Sequence, residues 1–131
     1  MKAEQFHQKV FPLILAVIVG SGVFCTSCKE NAPTVKEVEA AIKKELPIGT
    51  SKDQVLQFIK SRKFGSYKFI SPYYYGPPPE KYLQTDIDES VATGILDVRR
   101  TFFATYSIGV IFYFDKENKL VDYKVEETHG E

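Results

Sequence analysis

Ser107-Ile108-Gly109-Val110-Ile111-Phe112-Tyr113-Phe114 runs through Asp115-Lys116-Glu117-Asn118-Lys119 into Leu120-Val121-Asp122-Tyr123-Lys124-Val125-Glu126. The first eight residues are rich in β-branched and aromatic side chains, the next five are polar turn formers, and the last seven alternate. In that last run Val121, Tyr123 and Val125 take one parity and Asp122, Lys124 and Glu126 the other. The spacing predicts a terminal β-hairpin whose second strand has one covered face and one wet face. Something apolar must therefore lie against one side of a sheet.

The cover is found upstream. Val35, Val38, Ile42 and Leu46 recur every three or four residues, with Lys36, Glu37, Glu39, Lys43 and Lys44 on the other faces, which predicts an amphipathic helix. Thr34 and Glu37 have capping-box spacing, and Ser51 and Gln54 repeat it ahead of a second stripe of Val55, Leu56, Phe58 and Ile59. Between them Pro47 cannot continue a helix and Gly49 can take positive φ, so the two helices form a hairpin. The second helix is expected to end between Arg62 and Gly65, followed by strands over residues 66–70 and 91–98. Gly94 inside the latter suggests a bulge or a close backbone approach. The predicted fold is α+β: an N-terminal signal helix, then a two-helix hairpin packed on one face of a three- to four-stranded antiparallel sheet, in the order α-α-β-β-β.

Residues 71–82 interrupt the strands. Tyr73-Tyr74-Tyr75-Gly76-Pro77-Pro78-Pro79-Glu80-Lys81-Tyr82 cannot be a central strand, because three consecutive prolines donate no ladder hydrogen bonds. Its pre-ordered backbone and its tyrosines make Tyr73, Tyr74, Tyr75 and Tyr82 candidate partner-binding residues. The alternative is that some tyrosines fold back onto the sheet while the prolines stiffen a long loop. Arg99 and Arg100 sit at an expected turn and face solvent, within reach of lipid phosphate or a partner's carboxylate.

Lys2 and Lys9 precede an uncharged run over residues 10–24, the pattern of a signal peptide. As a helix that run is about 22 Å long, short of the ~30 Å hydrocarbon core. Gly20, Ser21 and Gly22 loosen its end, and Cys25-Thr26-Ser27-Cys28 follows. That tetrapeptide resembles a lipobox, with Thr26 and Ser27 in the small positions and Cys25 where Leu is usual. The resemblance implies cleavage before Cys28 and acylation of its thiol. Ordinary secretory cleavage after Ser27 and an uncleaved anchor are the alternatives. Both cysteines lie in this tetrapeptide, so the rest of the chain forms no internal disulfide. The expected organisation is signal peptide 1–27, tether 28–33 and one domain 34–131. Lys29 after the cysteine, where Asp would resemble an inner-membrane retention signal, directs the expectation to the outer membrane, facing the periplasm.

Composition narrows the function. The 131 residues carry 17 Lys and Arg against 17 Asp and Glu, and removing residues 1–27 leaves 15 basic and 16 acidic residues. No net field favours nucleic acid. The two histidines are His7 and His129, near the two ends, so no Cys-His or Ser-His-Asp site and no zinc site is expected. Asp86, Asp88 and Glu89 lack the spacing and glycine of a calcium loop and read as solvated. No catalytic residue, cofactor or metal is expected.

Pro47-Ile48-Gly49-Thr50-Ser51-Lys52-Asp53-Gln54-Val55 resembles the helix-loop-helix signature of the small-protein-A family, accessory lipoproteins of the outer-membrane β-barrel assembly machine. Ile48, Gly49, Ser51 and Val55 match in kind, and Thr50 replaces the usual Met. Phe112-Tyr113-Phe114-Asp115 followed by Leu120 is similar to that family's terminal hairpin, and the Tyr/Pro stretch is an addition to it. The resemblance implies a non-enzymatic envelope lipoprotein that contacts another envelope protein. An exported inhibitor or immunity protein that binds an enzyme is the second reading, and carboxylate chemistry around Asp86, Asp88 and Glu89 the third.

Overall fold

Among the described residues, reciprocal caps start both helices. In the computed structural model, which describes residues 31–80 and 86–130, the Glu37 N–H donates to Thr34 Oγ1 and the Thr34 N–H to Glu37 Oε2, at 3.3 and 2.7 Å. Ser51 and Gln54 repeat the exchange. The expected leader 1–27, Cys28 and Tyr82 lie outside the described residues. Helix α1 (Val35–Glu45) buries Val38, Ala41 and Ile42, and helix α2 (Lys52–Ser61) buries Val55, Phe58 and Ile59. Ala32 packs against the core and Pro33 is buried, and the compact unit begins at Asn31.

The loop between the helices is pinned to the sheet by its backbone. Gly49, at φ +94°, donates its N–H to Leu120 O at 2.7 Å, Leu120 N–H returns to Thr50 O, and Lys52 N–H reaches Asn118 O, both at 2.8 Å. Only glycine takes that φ without strain. These bonds fix the end of α1 and the start of α2 beside the turn at residues 115–119. There Asp115 Oδ1 accepts from the N–H groups of Glu117 and Lys119.

Six strands follow. A small hairpin, β1 (Lys63–Phe64) and β2 (Tyr67–Lys68), turns at Gly65 and stands apart from the main sheet. The main sheet contains β3 (Tyr73–Tyr75), β4 (Glu89–Arg100), β5 (Thr105–Phe114) and β6 (Leu120–Gly130), antiparallel in the order β3-β4-β5-β6. The α+β class and an antiparallel sheet of four strands agree with the sequence reading; the strand expected over residues 66–70 does not. Only Tyr67 and Lys68 pair there, with Phe64 and Lys63. Gly65 turns the chain after two residues, Phe69 points into the core, and Ile70 bonds Gly94 O. The fourth strand of the main sheet is instead Tyr73–Tyr75, at an edge, where the nearby prolines disrupt no ladder.

One face of the sheet meets the helices. Val91 and Ile95 of β4, Ile108, Val110, Phe112 and Phe114 of β5, and Leu120 of β6 cluster with Val38, Ile42, Leu46, Val55, Phe58 and Ile59. Tyr123 and Val125 pack against this cluster, as their parity predicts. Burial, then the carboxylates of Glu39 and Asp122, raises the Tyr123 hydroxyl above its ordinary value. Gly94 faces Gly109 across β4 and β5, and a Cβ at position 94 would stand 2.9 Å from Ile108 O, a close backbone approach. A register irregularity follows between Ile95 and Arg99, with Asp97 at φ +54°.

Candidate functional site

Strand alternation divides the three tyrosines between the two faces of the sheet. Tyr74 pairs with Val91 and so shares the helix side, whereas Tyr73 and Tyr75 pair with Ala92 and Ser90 on the opposite, outer face. All three rings are more than half exposed, at 58, 59 and 58%. Lys52 Nζ stands 4.9 Å from the centre of the Tyr74 ring and 2.6 Å from Glu89 Oε2, so Tyr74 caps a partly buried ion pair at the start of α2. Tyr75 has no such cover, and Tyr73 lines a separate cavity with Ile59 and Lys60 of α2 and with Lys68 and Phe69.

One proline does what was expected of the tyrosines, and folds back. Ser90 Oγ donates to Gly76 O at 2.9 Å, which holds the loop against β4, and Pro78 is buried. The loop and Tyr75 form one wall of an open groove of about 470 Å³ on the outer face. Ser90, Ala92, Ile111 and Tyr113 complete its lining, and Tyr113 is 1% exposed. No lining residue carries a charge. Beyond the groove the outer face changes character, because β6 sets Asp122 opposite Tyr113, Lys124 opposite Ile111 and Glu126 opposite Gly109. Lys124 and Glu126 form an ion pair. An apolar half and a charged half therefore lie side by side on one sheet face.

Of the four tyrosines that the sequence singles out, the structure brings Tyr73 and Tyr75 to one face, sets Tyr74 on the other, and does not describe Tyr82 or Cys28. The groove floor went unnoticed in the sequence, although a signal was present. From Ile108 to Phe114 every residue except Gly109 is apolar, so both parities of β5 ask for cover. Ile111 and Tyr113 belong to the parity that the helices do not touch.

Among the described residues, no group of three His, Cys, Asp or Glu side chains lies close enough to hold a metal ion. Of the acidic trio, Glu89 is bonded to Lys52, and Asp86 takes a positive φ of 78°. Among the described residues no helix is long and apolar enough to cross a membrane. Compared with protein-family models, with curated proteins and with solved structures, the chain finds no match.

Proposed function

We propose that this chain is a bacterial envelope lipoprotein, held at the outer membrane through an acylated Cys28, whose α+β domain binds another envelope protein through the outer sheet face at Tyr73, Tyr75 and the proline-walled groove. The observation that carries the binding reading is the groove itself: exposed Tyr75 on an edge strand beside an uncharged floor fixed by a hydrogen-bonded sheet, with exposed Tyr73 two residues away on the same strand. Such a surface is already ordered, so little conformational entropy is lost when a partner docks. An apolar side chain of the partner would displace water from Ala92, Ile111 and Pro78, while the tyrosine rings add contact area and their hydroxyls stay at the wet rim. Polar residues of the same partner segment would meet Asp122, Lys124 and Glu126. The lipobox resemblance of residues 25–28 and the likeness of residues 47–55 to the small-protein-A family support the envelope setting and a non-enzymatic role.

The experiment is affinity capture from solubilised membranes, with three single variants compared. Tyrosine anchors at the centre of an interface carry ~2 kcal/mol or more, about a 30-fold change in Kd. Tyr75→Ala and Tyr73→Ala are expected to lose the captured protein, and Tyr74→Ala, on the other face, to keep it. Equal loss in all three, or in none, contradicts the assignment of the binding face. A captured enzyme whose turnover falls when the chain is added would select the inhibitor reading.

A further inference from the structure

At the end of the sheet, the turn between β4 and β5 carries Phe102 and Phe103, 94 and 85% exposed, their ring centres 5.0 Å apart and nearly perpendicular. These rings touch nothing in the core, and leaving two adjacent phenyl groups in water has no benefit for folding. The turn beneath them is well made. Thr101 N–H donates to Ala104 O at 2.8 Å and Ala104 N–H to Thr101 Oγ1 at 3.1 Å, so its two ends satisfy each other's polar groups before either meets an apolar medium.

Just behind the tip, cationic and aromatic side chains gather. Arg100 is within 3.5 Å of Asp97 with both side chains largely exposed, while Arg99 bonds Glu127 and lies 3.8 Å from the centre of the Tyr106 ring. One residue, Thr101, separates Arg100 at the end of β4 from Phe102 in the turn, at most about 7 Å of chain. An apolar tip followed at that depth by Arg and Tyr has the layering of a lipid interface, where rings enter the acyl boundary by ~5–10 Å and cations meet headgroup phosphate. The arginines already have carboxylate partners, and an exposed pair such as Arg100 with Asp97 is easily exchanged for phosphate.

The path of the chain supplies a second, independent observation. Helix α1 ends beside the start of β6, where Gly49 meets Leu120, and it packs along that strand. The helix therefore points its N-terminal end toward the far end of β6. Asn31 and Pro33 line one cavity with Glu37, Ala40 and Lys44 of α1 and with Arg62, Phe64 and Gly65, the residues that follow α2. The far end of β6 pairs with the start of β5, Gly130 with Thr105, beside the phenylalanine turn. The chain thus enters the domain at the end of the sheet that carries Phe102 and Phe103.

We infer that Phe102 and Phe103 insert into a lipid surface, with Arg99 and Arg100 at its phosphates. This rests on the proposed tether for bringing the membrane close, since Cys28 precedes Asn31 by three positions, about 10 Å of extended chain. A protein pocket would need to match the shape of a convex tip, whereas a bilayer does not. With the tether and the tip both in the lipid, the domain is held at two points and the groove is presented at a fixed attitude.

The chain contains no tryptophan, so Phe103→Trp gives a single fluorescent reporter at the tip. Ile48→Trp gives a control that is also exposed, at 62%, in the loop at the opposite end of the helices. The full chain of each is reconstituted into vesicles of phosphatidylethanolamine and phosphatidylglycerol, with and without brominated acyl chains. Insertion moves the Phe103→Trp emission to the blue and quenches it with bromine, leaves Ile48→Trp water-like, and is lost when Phe102→Asp is added. A chain that floats with the vesicles while its tip tryptophan stays unquenched overturns the insertion and leaves the tether standing. Quenching at the tip of a chain whose Cys28 carries no lipid keeps the insertion and removes the tether. Emission that shifts with protein concentration but not with lipid also overturns the insertion, by showing a protein contact in its place.

Discussion

Gly94→Ala and Gly109→Ala should move stability in opposite directions, although the two residues face each other across β4 and β5. A Cβ at position 94 would stand 2.9 Å from the backbone oxygen of Ile108, and a main-chain atom in the middle of a ladder cannot rotate aside. Forcing in a methyl group of that kind costs ~1–3 kcal/mol. Removing a strand-interior glycine returns ~0.5–1 kcal/mol by reducing the freedom of the unfolded chain. At position 109 the first atom met is Thr128 Cγ2 at 3.5 Å, ordinary contact, so only the gain applies. The two variants should differ by ~1–3 kcal/mol, which at a urea m-value of ~1–3 kcal/mol per M separates their midpoints by on the order of 1 M. Equilibrium urea unfolding, followed by far-ultraviolet circular dichroism, reads this directly. Gly94→Ala unfolding at or above the Gly109→Ala midpoint would refute the close approach of β4 to β5.

Other outcomes follow from single contacts. Ser51→Ala removes the hydroxyl that accepts from Gln54 N–H, and should cost ~1 kcal/mol, or ~4–8 °C in the thermal midpoint of a domain this size. Phe112→Ala empties a fully buried site between the sheet and the helices and should cost ~3–5 kcal/mol by the same urea titration. Because folding raises the Tyr123 hydroxyl, the folded protein keeps that proton where the unfolded chain has released it. The associated stability is complete below the ordinary tyrosine value of about 10 and falls as pH rises through the raised value. Tyr123→Phe should therefore flatten the alkaline limb of a stability-pH curve and leave it unchanged near neutrality.

Local signals carried most of the fold. Capping boxes at Thr34 and Ser51, the stripe Val38–Ile42–Leu46 and the alternation at Tyr123 and Val125 each depend on neighbours within a few residues, and each reappears in the structure. Residues 66–70 misled because their β propensity is real but Gly65 turns the chain into a two-residue pairing with Lys63 and Phe64. Register across β3 and β4 is a long-range property, so the division of Tyr73 and Tyr75 from Tyr74 could be read only once Tyr74 was seen opposite Val91. The groove floor was half legible: apolar residues at both parities of β5 announce a second covered face, but not that Pro78 covers it. Phe102 and Phe103 carried a weaker signal still, because two phenylalanines in sequence read as core until a turn places them at the end of a hairpin.

Mass determination of the intact protein isolated from membranes, with fragmentation of its N-terminus, bears most directly on the tethered-lipoprotein reading. The expected result is a chain that begins at Cys28 and carries acyl chains on that residue. A chain that begins at Met1, or one that begins at Cys28 with a free thiol and no lipid, would contradict it.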